Sequence, residues 1–476
     1  MTDICIGQII ADSGVAFGTS GARGLVSQFS DPVAGAFALA FRQALADQGY
    51  DVSVIALAID RRPSSPAIAA SIYAALKAVG CEVKYYGILP TPALALQSFS
   101  QSIPSLMVTG SHIPFERNGI KFYRPDGEID KPDEAAILRQ RQALPTWSPH
   151  LPLPSDHARE DYQARYLDAF ASHALSNLTV GVYEHSAAGR DLTCTILKKL
   201  GAEVVSLGKT NQFVALDTEA ISERDQYLAR QWCTAYDLDA IVTTDGDGDR
   251  VMMADDEGRW LAGDVIGMLC TRLLQPAALV VPISCNSGIE SYLNIPVVRT
   301  KIGSPYVIEA MATLAQTYPQ VVGFEANGGF LTATAIPVQE TLLAALPTRD
   351  ALLPMLMVLQ EINKQRVSLS ALVQQVTHRV TSSSRITDVS WAFSQTLLRR
   401  WQDDLEEVVR QLGRTDEVCH VNTTDGLRMT FTNGDIIHVR ASGNAPELRC
   451  YCESGSKIAA EALLQQAMSL LAQQKP

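Results

Sequence analysis

The stretch Leu238-Asp239-Ala240-Ile241-Val242-Thr243-Thr244-Asp245-Gly246-Asp247-Gly248-Asp249-Arg250-Val251-Met252-Met253-Ala254 reads as strand, acidic glycine loop, strand. Leu238 to Thr244 and Arg250 to Ala254 are short apolar runs, so the loop is pinned at a strand end. Three carboxylates at alternate positions, relieved by Gly246 and Gly248, aim several oxygens at one point, as a hard cation requires. A solvated acidic turn would share this composition. A calcium helix-loop-helix fits the first three Asp positions, but Arg250 stands where that loop needs Gly, and the flanks read as strands.

Outward from this loop one unit recurs. Val54 to Asp60 reads as a buried strand, Pro66 to Val79 as an amphipathic helix and Glu82 to Tyr86 as the next strand, a βαβ pattern. Leu178 to Tyr183, Gly189 to Leu200 and Glu203 to Ser206 repeat it, as do Leu279 to Pro282, Ser287 to Leu293 and Val297 to Thr300. Beyond Arg379 the pattern changes: Asn433-Gly434 between two alternating runs signals a hairpin, and a helix from Ser456 to Gln473 closes the chain. The expected fold is three consecutive α/β domains with mixed sheets plus a C-terminal α+β domain, arranged around a central cleft. The expected limits are 1–152, 153–257, 258–370 and 371–476, with a Pro-rich linker from Gln142 to Ser155 and a hinge near Ser368 to His378.

A chain of 476 residues exceeds one core, and 47% hydrophobic with 19% charged residues describes a globular protein. A net charge of −12 argues against nucleic acid or an anionic membrane as the main partner. No stretch reads as a bilayer span and the N-terminus lacks a basic-then-apolar leader, so no membrane role is expected. Nine cysteines without metal-ligand spacing fit a reduced, cytoplasmic setting. Cys450 and Cys452, alternating in a strand pattern, read as packed or exposed thiols.

Four further segments carry chemistry. Val108-Thr109-Gly110-Ser111-His112-Ile113-Pro114 puts a hydroxyl beside an imidazole on a tight turn. With no Gly-x-Ser-x-Gly elbow, the hydroxyl reads better as a phosphate carrier than as a hydrolase nucleophile. Lys121, ten residues on, can stabilise transferring charge or move a proton, or can be a plain surface lysine. Phe17-Gly18-Thr19-Ser20-Gly21-Ala22-Arg23-Gly24 is a Gly-rich loop with an arginine, and Gly323-Phe324-Glu325-Ala326-Asn327-Gly328-Gly329 offers a carboxylate and an amide suited to sugar hydroxyls. Arg440-Ala441-Ser442-Gly443-Asn444-Ala445-Pro446 has the composition of a phosphate cradle.

In this order the segments resemble the α-D-phosphohexomutase superfamily over nearly the whole chain, most specifically through Thr-Gly-Ser-His-x-Pro and the Asp-Gly-Asp-Gly-Asp-Arg loop. The resemblance implies that Ser111 is a phosphoserine and that Asp245, Asp247 and Asp249, with Ser111, bind Mg²⁺. It implies that Arg23, Lys121 and His112 assist the reacting oxygens, and that Arg250 closes the metal loop. Lys301, Gly303 and Ser304 would read the sugar face, Glu325 and Asn327 its hydroxyls, and Arg440, Ser442, Gly443 and Asn444 the phosphate not being transferred. The expected activity interconverts hexose 6-phosphate and hexose 1-phosphate through a hexose 1,6-bisphosphate, with mannose phosphate first, glucose phosphate or phospho-N-acetylglucosamine as alternatives, and a monomer or small homo-oligomer as the form. A non-catalytic sugar-phosphate sensor, or a transferase that releases the bisphosphate, are the readings from other classes. Three departures bear on this: Ile113 replaces a frequent Asn, Asn444-Ala445-Pro446 replaces Thr-Glu-Pro, and Gly329 stands where relatives with Glu-x-Ser-Gly-His carry a histidine that in some members contributes to proton transfer.

Overall fold

The computed structural model of the chain describes residues 5–18, 21–442 and 446–474. Its first three sheets share one core topology. In the first, Glu82–Ile88, Val54–Ile59 and Ser105–Val108 run parallel, and Arg117–Arg124 then pairs antiparallel with Ser105–Val108. The second sheet repeats the order with Glu203–Leu207, Thr179–Tyr183, Ala240–Thr244 and antiparallel Val251–Ala254. The third does so with Val297–Thr300, Ala278–Pro282, Val321–Phe324 and antiparallel Phe330–Thr332, extended by Leu346–Asp350.

Runs such as Ile55-Ala56-Leu57-Ala58-Ile59 are buried on both faces because crossover helices cover the sheet, here Ser65–Ala78 after the first strand. In each unit the chain turns from third to fourth strand at the carboxyl end of a parallel strand, the place where open α/β sheets bind ligands. Those three turns hold Ser111, Asp245 to Asp249, and Glu325 to Gly328.

The fourth unit is α+β, with an antiparallel sheet ordered Val380–Thr387, Glu447–Ser454, Ile436–Ala441, Leu427–Phe431, Val418–Asn422. The Asn433-Gly434 hairpin pairs Leu427 with Val439, as its turn chemistry predicts. Cys450 and Cys452 are both buried here, with Sγ atoms 3.8 Å apart.

Units one to three share a continuous apolar core that includes Ala93, Tyr162, Val180, Val322 and Leu356. The fourth closes its own core around Trp401, Phe431 and Leu463. Polar links join it to the third: Glu453 accepts from the Ser287 N–H at 3.0 Å, and Asn286 Nδ2 donates to the Arg379 carbonyl at 3.0 Å. Separate cores joined by hydrogen bonds are the arrangement in which domains move as bodies. The short helix Leu369–Val373 is anchored, since Ser370 donates to Asp256 through N–H at 2.8 Å and Oγ at 3.0 Å. Within the expected hinge, residues 374–378 follow this anchored helix.

Candidate active site

Ser111 adopts φ +53°, a left-handed conformation costing a residue with Cβ on the order of 1–2 kcal/mol. The strain is held by a residue that motif reading passed over. Arg62, fully buried, donates Nη2 to the carbonyls of Ser111 at 2.8 Å and Ile113 at 2.6 Å, and Nη1 to those of Pro114 at 2.8 Å and Arg117 at 3.0 Å. Its Nε pairs with Asp60 at 3.1 Å, and its face lies 4.1 Å over Phe213. A Cβ on Gly110 would come within 2.6 Å of the guanidinium carbon, so glycine is required there. Thr109 completes the cradle, donating to Asp60 and accepting from the Ser111 N–H, both at 2.8 Å.

The Ser111 hydroxyl thus projects into the metal loop, donating to Asp245 Oδ2 at 2.5 Å. His112 Nδ1 lies 3.3 Å from the same oxygen. Burial, then the charges of Arg250 and Arg23, holds that imidazole well below its ordinary pKa.

Asp245, Asp247 and Asp249 are all buried, with ligand oxygens within 4.8 Å of one another. Lys121 Nζ donates at 2.6 Å to both Asp247 and Asp249, and Thr91 Oγ1 to Asp247 at 2.7 Å. Burial and then repulsion from Asp247 and Asp249 push Asp245 well above the ordinary carboxylate range. Burial acts the same way on Asp247, but Lys121 outweighs it and holds that carboxyl low. Asp247 Oδ1 and Asp249 Oδ1 are buried without a hydrogen-bond partner. Oxygen donors that are crowded, anionic and unsatisfied fit a hard divalent cation. Arg250 closes the loop with Nε 3.7 Å from Asp249 Oδ1. Arg23 enters from the strand Ala22–Leu25, paired with Gly119, and burial followed by Arg250 and Arg349 lowers its guanidinium to about 10.

Glu325 is buried with Oε1 lacking a hydrogen-bond partner, and burial raises its carboxyl against the opposing pull of Arg349 and Arg250. Asn327 Oδ1 accepts the Gly329 N–H at 3.0 Å, which engages its side chain in the turn. Ser304 is buried and donates to Glu128 at 3.3 Å, whereas Lys301 is exposed, its ammonium 5.8 Å above the Tyr306 ring. Gly303 takes φ +133° beside them.

In the fourth unit Arg440 and Ser442 are buried. Arg440 Nε lies 3.0 Å from Asp425 Oδ2, the oxygen that also accepts the Ile302 N–H at 3.0 Å. Asp425 therefore ties Arg440 to the loop from Lys301 to Ser304, a role no local motif announces. Thr19, Ser20, Gly443 and Asn444 lie outside the described residues.

Comparison with known proteins matches four consecutive regions to phosphoglucomutase/phosphomannomutase models: alpha/beta/alpha domain I at residues 14–145, domain II at 161–258, domain III at 262–380 and the C-terminal domain at 397–470. The phosphomannomutase of Salmonella muenchen is 48% identical over 451 residues, covering 94% of each chain. That of Sinorhizobium fredii is 40% identical, covering 96% of this chain and 99% of its own. The crystal structure of a phosphoglucomutase/phosphomannomutase family protein from Burkholderia thailandensis superposes with a TM-score of 0.76, covering 98% of each chain at 21% identity, which establishes likeness of fold.

Proposed function

The chain belongs to the phosphoglucomutase/phosphomannomutase family, and from that premise we propose that it interconverts mannose 6-phosphate and mannose 1-phosphate through phosphoserine 111 and mannose 1,6-bisphosphate. Phosphohexomutase chemistry comes with the family. Mannose is supported by the two relatives described above, both phosphomannomutases. The observation that carries the mechanism is the Ser111 hydroxyl held 2.5 Å from a buried aspartate triad.

In the first transfer a sugar hydroxyl oxygen attacks the phosphorus on Ser111. The new P–O bond forms as the bond to Ser111 Oγ breaks, and the hydroxyl proton ends on Oγ. Lys121 and Arg23 supply positive charge to the moving phosphoryl group. A divalent cation held by Asp245, Asp247, Asp249 and a phosphoryl oxygen on Ser111 would neutralise the remainder. The bisphosphate then turns over and returns its other phosphoryl group to Ser111. Glu325, Asn327, Lys301, Gly303 and Ser304 must receive the sugar both ways round, while Arg440, Ser442, Gly443 and Asn444 grip the phosphate at rest. A reduced cytoplasmic setting agrees with nine free thiols. Among the described residues no helix is long and apolar enough to cross a membrane.

Substrate choice is checked by kcat/KM for the 1-phosphates of mannose, glucose, glucosamine and N-acetylglucosamine. Mannose should lead; a strong preference for the acetylated sugar overturns the assignment in favour of the Asn327 amide serving an acetyl carbonyl. Glu325→Ala should impair every hexose, at roughly 1–3 kcal/mol for each hydroxyl left unpaired.

The domain limits proposed are 1–152, 153–257, 258–370 and 371–476, with the last unit as the moving part, turning about residues 374–378 so that Arg440 exchanges Asp425 for substrate phosphate. Arg440→Ala should raise KM about 10- to 100-fold, the value of a charge-assisted hydrogen bond, and let bisphosphate escape. Steady-state kinetics with quantitation of free bisphosphate measures both. X-ray scattering unchanged by saturating substrate, with no leakage from the variant, would count against closure.

A further inference from the structure

Position 329 is a glycine, and the space a side chain there would fill is taken. A Cβ on Gly329 would stand 2.5 Å from Arg349 Cδ and 2.6 Å from its Cγ, closer than any side chain permits. Antiparallel pairing of Phe330 with Asp350 brings the two segments together. The Arg349 stem therefore crosses position 329, and its guanidinium ends between two buried carboxylates. Nε and Nη2 each lie 3.0 Å from Asp249 Oδ2, and Nη1 lies 3.5 Å from Glu325 Oε1. Arg349 is 4% exposed, Glu325 3% and Asp249 0%, so one buried cation answers an anion from the metal loop and an anion from the sugar loop.

We propose that Arg349 takes the place of a side chain at position 329 and is a positioning residue of the sugar site. Its fork fixes the Glu325 carboxylate and ties it to Asp249, so that the loop contacting the sugar and the loop carrying the metal ligands keep one relative geometry through both transfers. The assignment rests on Glu325 as the sugar contact. Gly329 and Arg349 become one unit: the glycine is needed because the arginine is there.

The test is a cycle of R349K, E325Q and the double variant, assayed with mannose 1-phosphate and glucose 1-phosphate. Lysine keeps the charge but loses the planar fork, so R349K should lower kcat/KM about 10- to 100-fold. In the E325Q background the same change should cost less than about threefold, since little remains to position. General loss of structure would multiply the two effects instead. Thermal unfolding gives a readout without turnover: G329A should lower the melting temperature markedly when Arg349 is present and far less beside R349A. If R349K does not fold, R349Q carries the same cycle. Additive effects of R349K and E325Q, or a G329A penalty unchanged beside R349A, would overturn the proposal. Full activity of E325Q alone would instead strike the sugar-contact reading on which it stands.

Discussion

Replacing Ser111 with alanine should abolish mutase turnover while leaving a folded protein that still binds hexose phosphate. The hydroxyl is the only part of this residue that the mechanism uses covalently, and among the described residues neither His112 nor Thr109 beside it can take over. His112 Nδ1 is 3.3 Å away but sits on its own ring, and Thr109 Oγ1 is spent on Asp60 and the Ser111 N–H. Loss of a covalent nucleophile costs roughly 10⁴-fold or more in kcat. The cradle should survive, because Arg62 holds the loop by backbone carbonyls and Thr109 by a backbone N–H, none of which the substitution touches. Alanine at φ +53° carries the strain serine already carries. The lost bond to Asp245 is worth about 1–3 kcal/mol and leaves that carboxyl facing a site made to hold a cation. Calorimetric titration with hexose phosphate, thermal unfolding and turnover separate these outcomes. Mass spectrometry of active wild-type protein should place one phosphoryl group on Ser111; a fully active preparation phosphorylated elsewhere would sink the assignment.

Ser111, the aspartate triad and Glu325 were legible in the sequence for a shared reason. Each lies on a loop between an apolar parallel strand and an antiparallel partner, and a run such as Ala240 to Thr244 followed by acidic glycine repeats declares both strand and loop. The βαβ pattern was equally readable, since two-sided burial writes itself as continuous apolar runs. The strand Val380–Thr387 escaped because it is the polar edge of its sheet, Val-Thr-Ser-Ser-Ser-Arg-Ile-Thr, paired on one side only with Glu447–Ser454. Edge strands avoid the apolar alternation that pattern reading relies on.

Arg62, Arg349 and Asp425 escaped for a different reason. Arg62 acts on carbonyls about fifty residues later, Arg349 acts by filling the room of Gly329, and Asp425 joins two loops from different domains. Their partners are chosen by the tertiary structure, and no local spacing encodes them. The groups proposed to do the chemistry are visible as motifs, while those that hold them in position have to be found in space.

Asp247→Asn should be the most damaging change outside Ser111, because Asp247 belongs to both the cation site and the lysine cluster. Its carboxylate accepts from Lys121 Nζ at 2.6 Å and from Thr91 Oγ1 at 2.7 Å, its backbone carbonyl accepts the Thr91 N–H at 2.8 Å, and its second side-chain oxygen is buried without a partner. An amide keeps the shape but removes the charge, leaving a cation short of one anionic ligand and Lys121 short of one counter-ion. Transition-state stabilisation should fall by at least ~2–4 kcal/mol, the loss seen when one preorganised electrostatic group is removed. Chelation should abolish wild-type activity and Mg²⁺ should restore it. Unfolding gives the matching signature without turnover: a cation at 100 times its dissociation constant stabilises the folded state by about 2.7 kcal/mol, and Asp247→Asn should forfeit most of that shift. Wild-type protein that stays fully active after thorough demetallation would refute the metal site, and an Asp247→Asn variant that keeps both its activity and its Mg²⁺ shift would remove Asp247 from it.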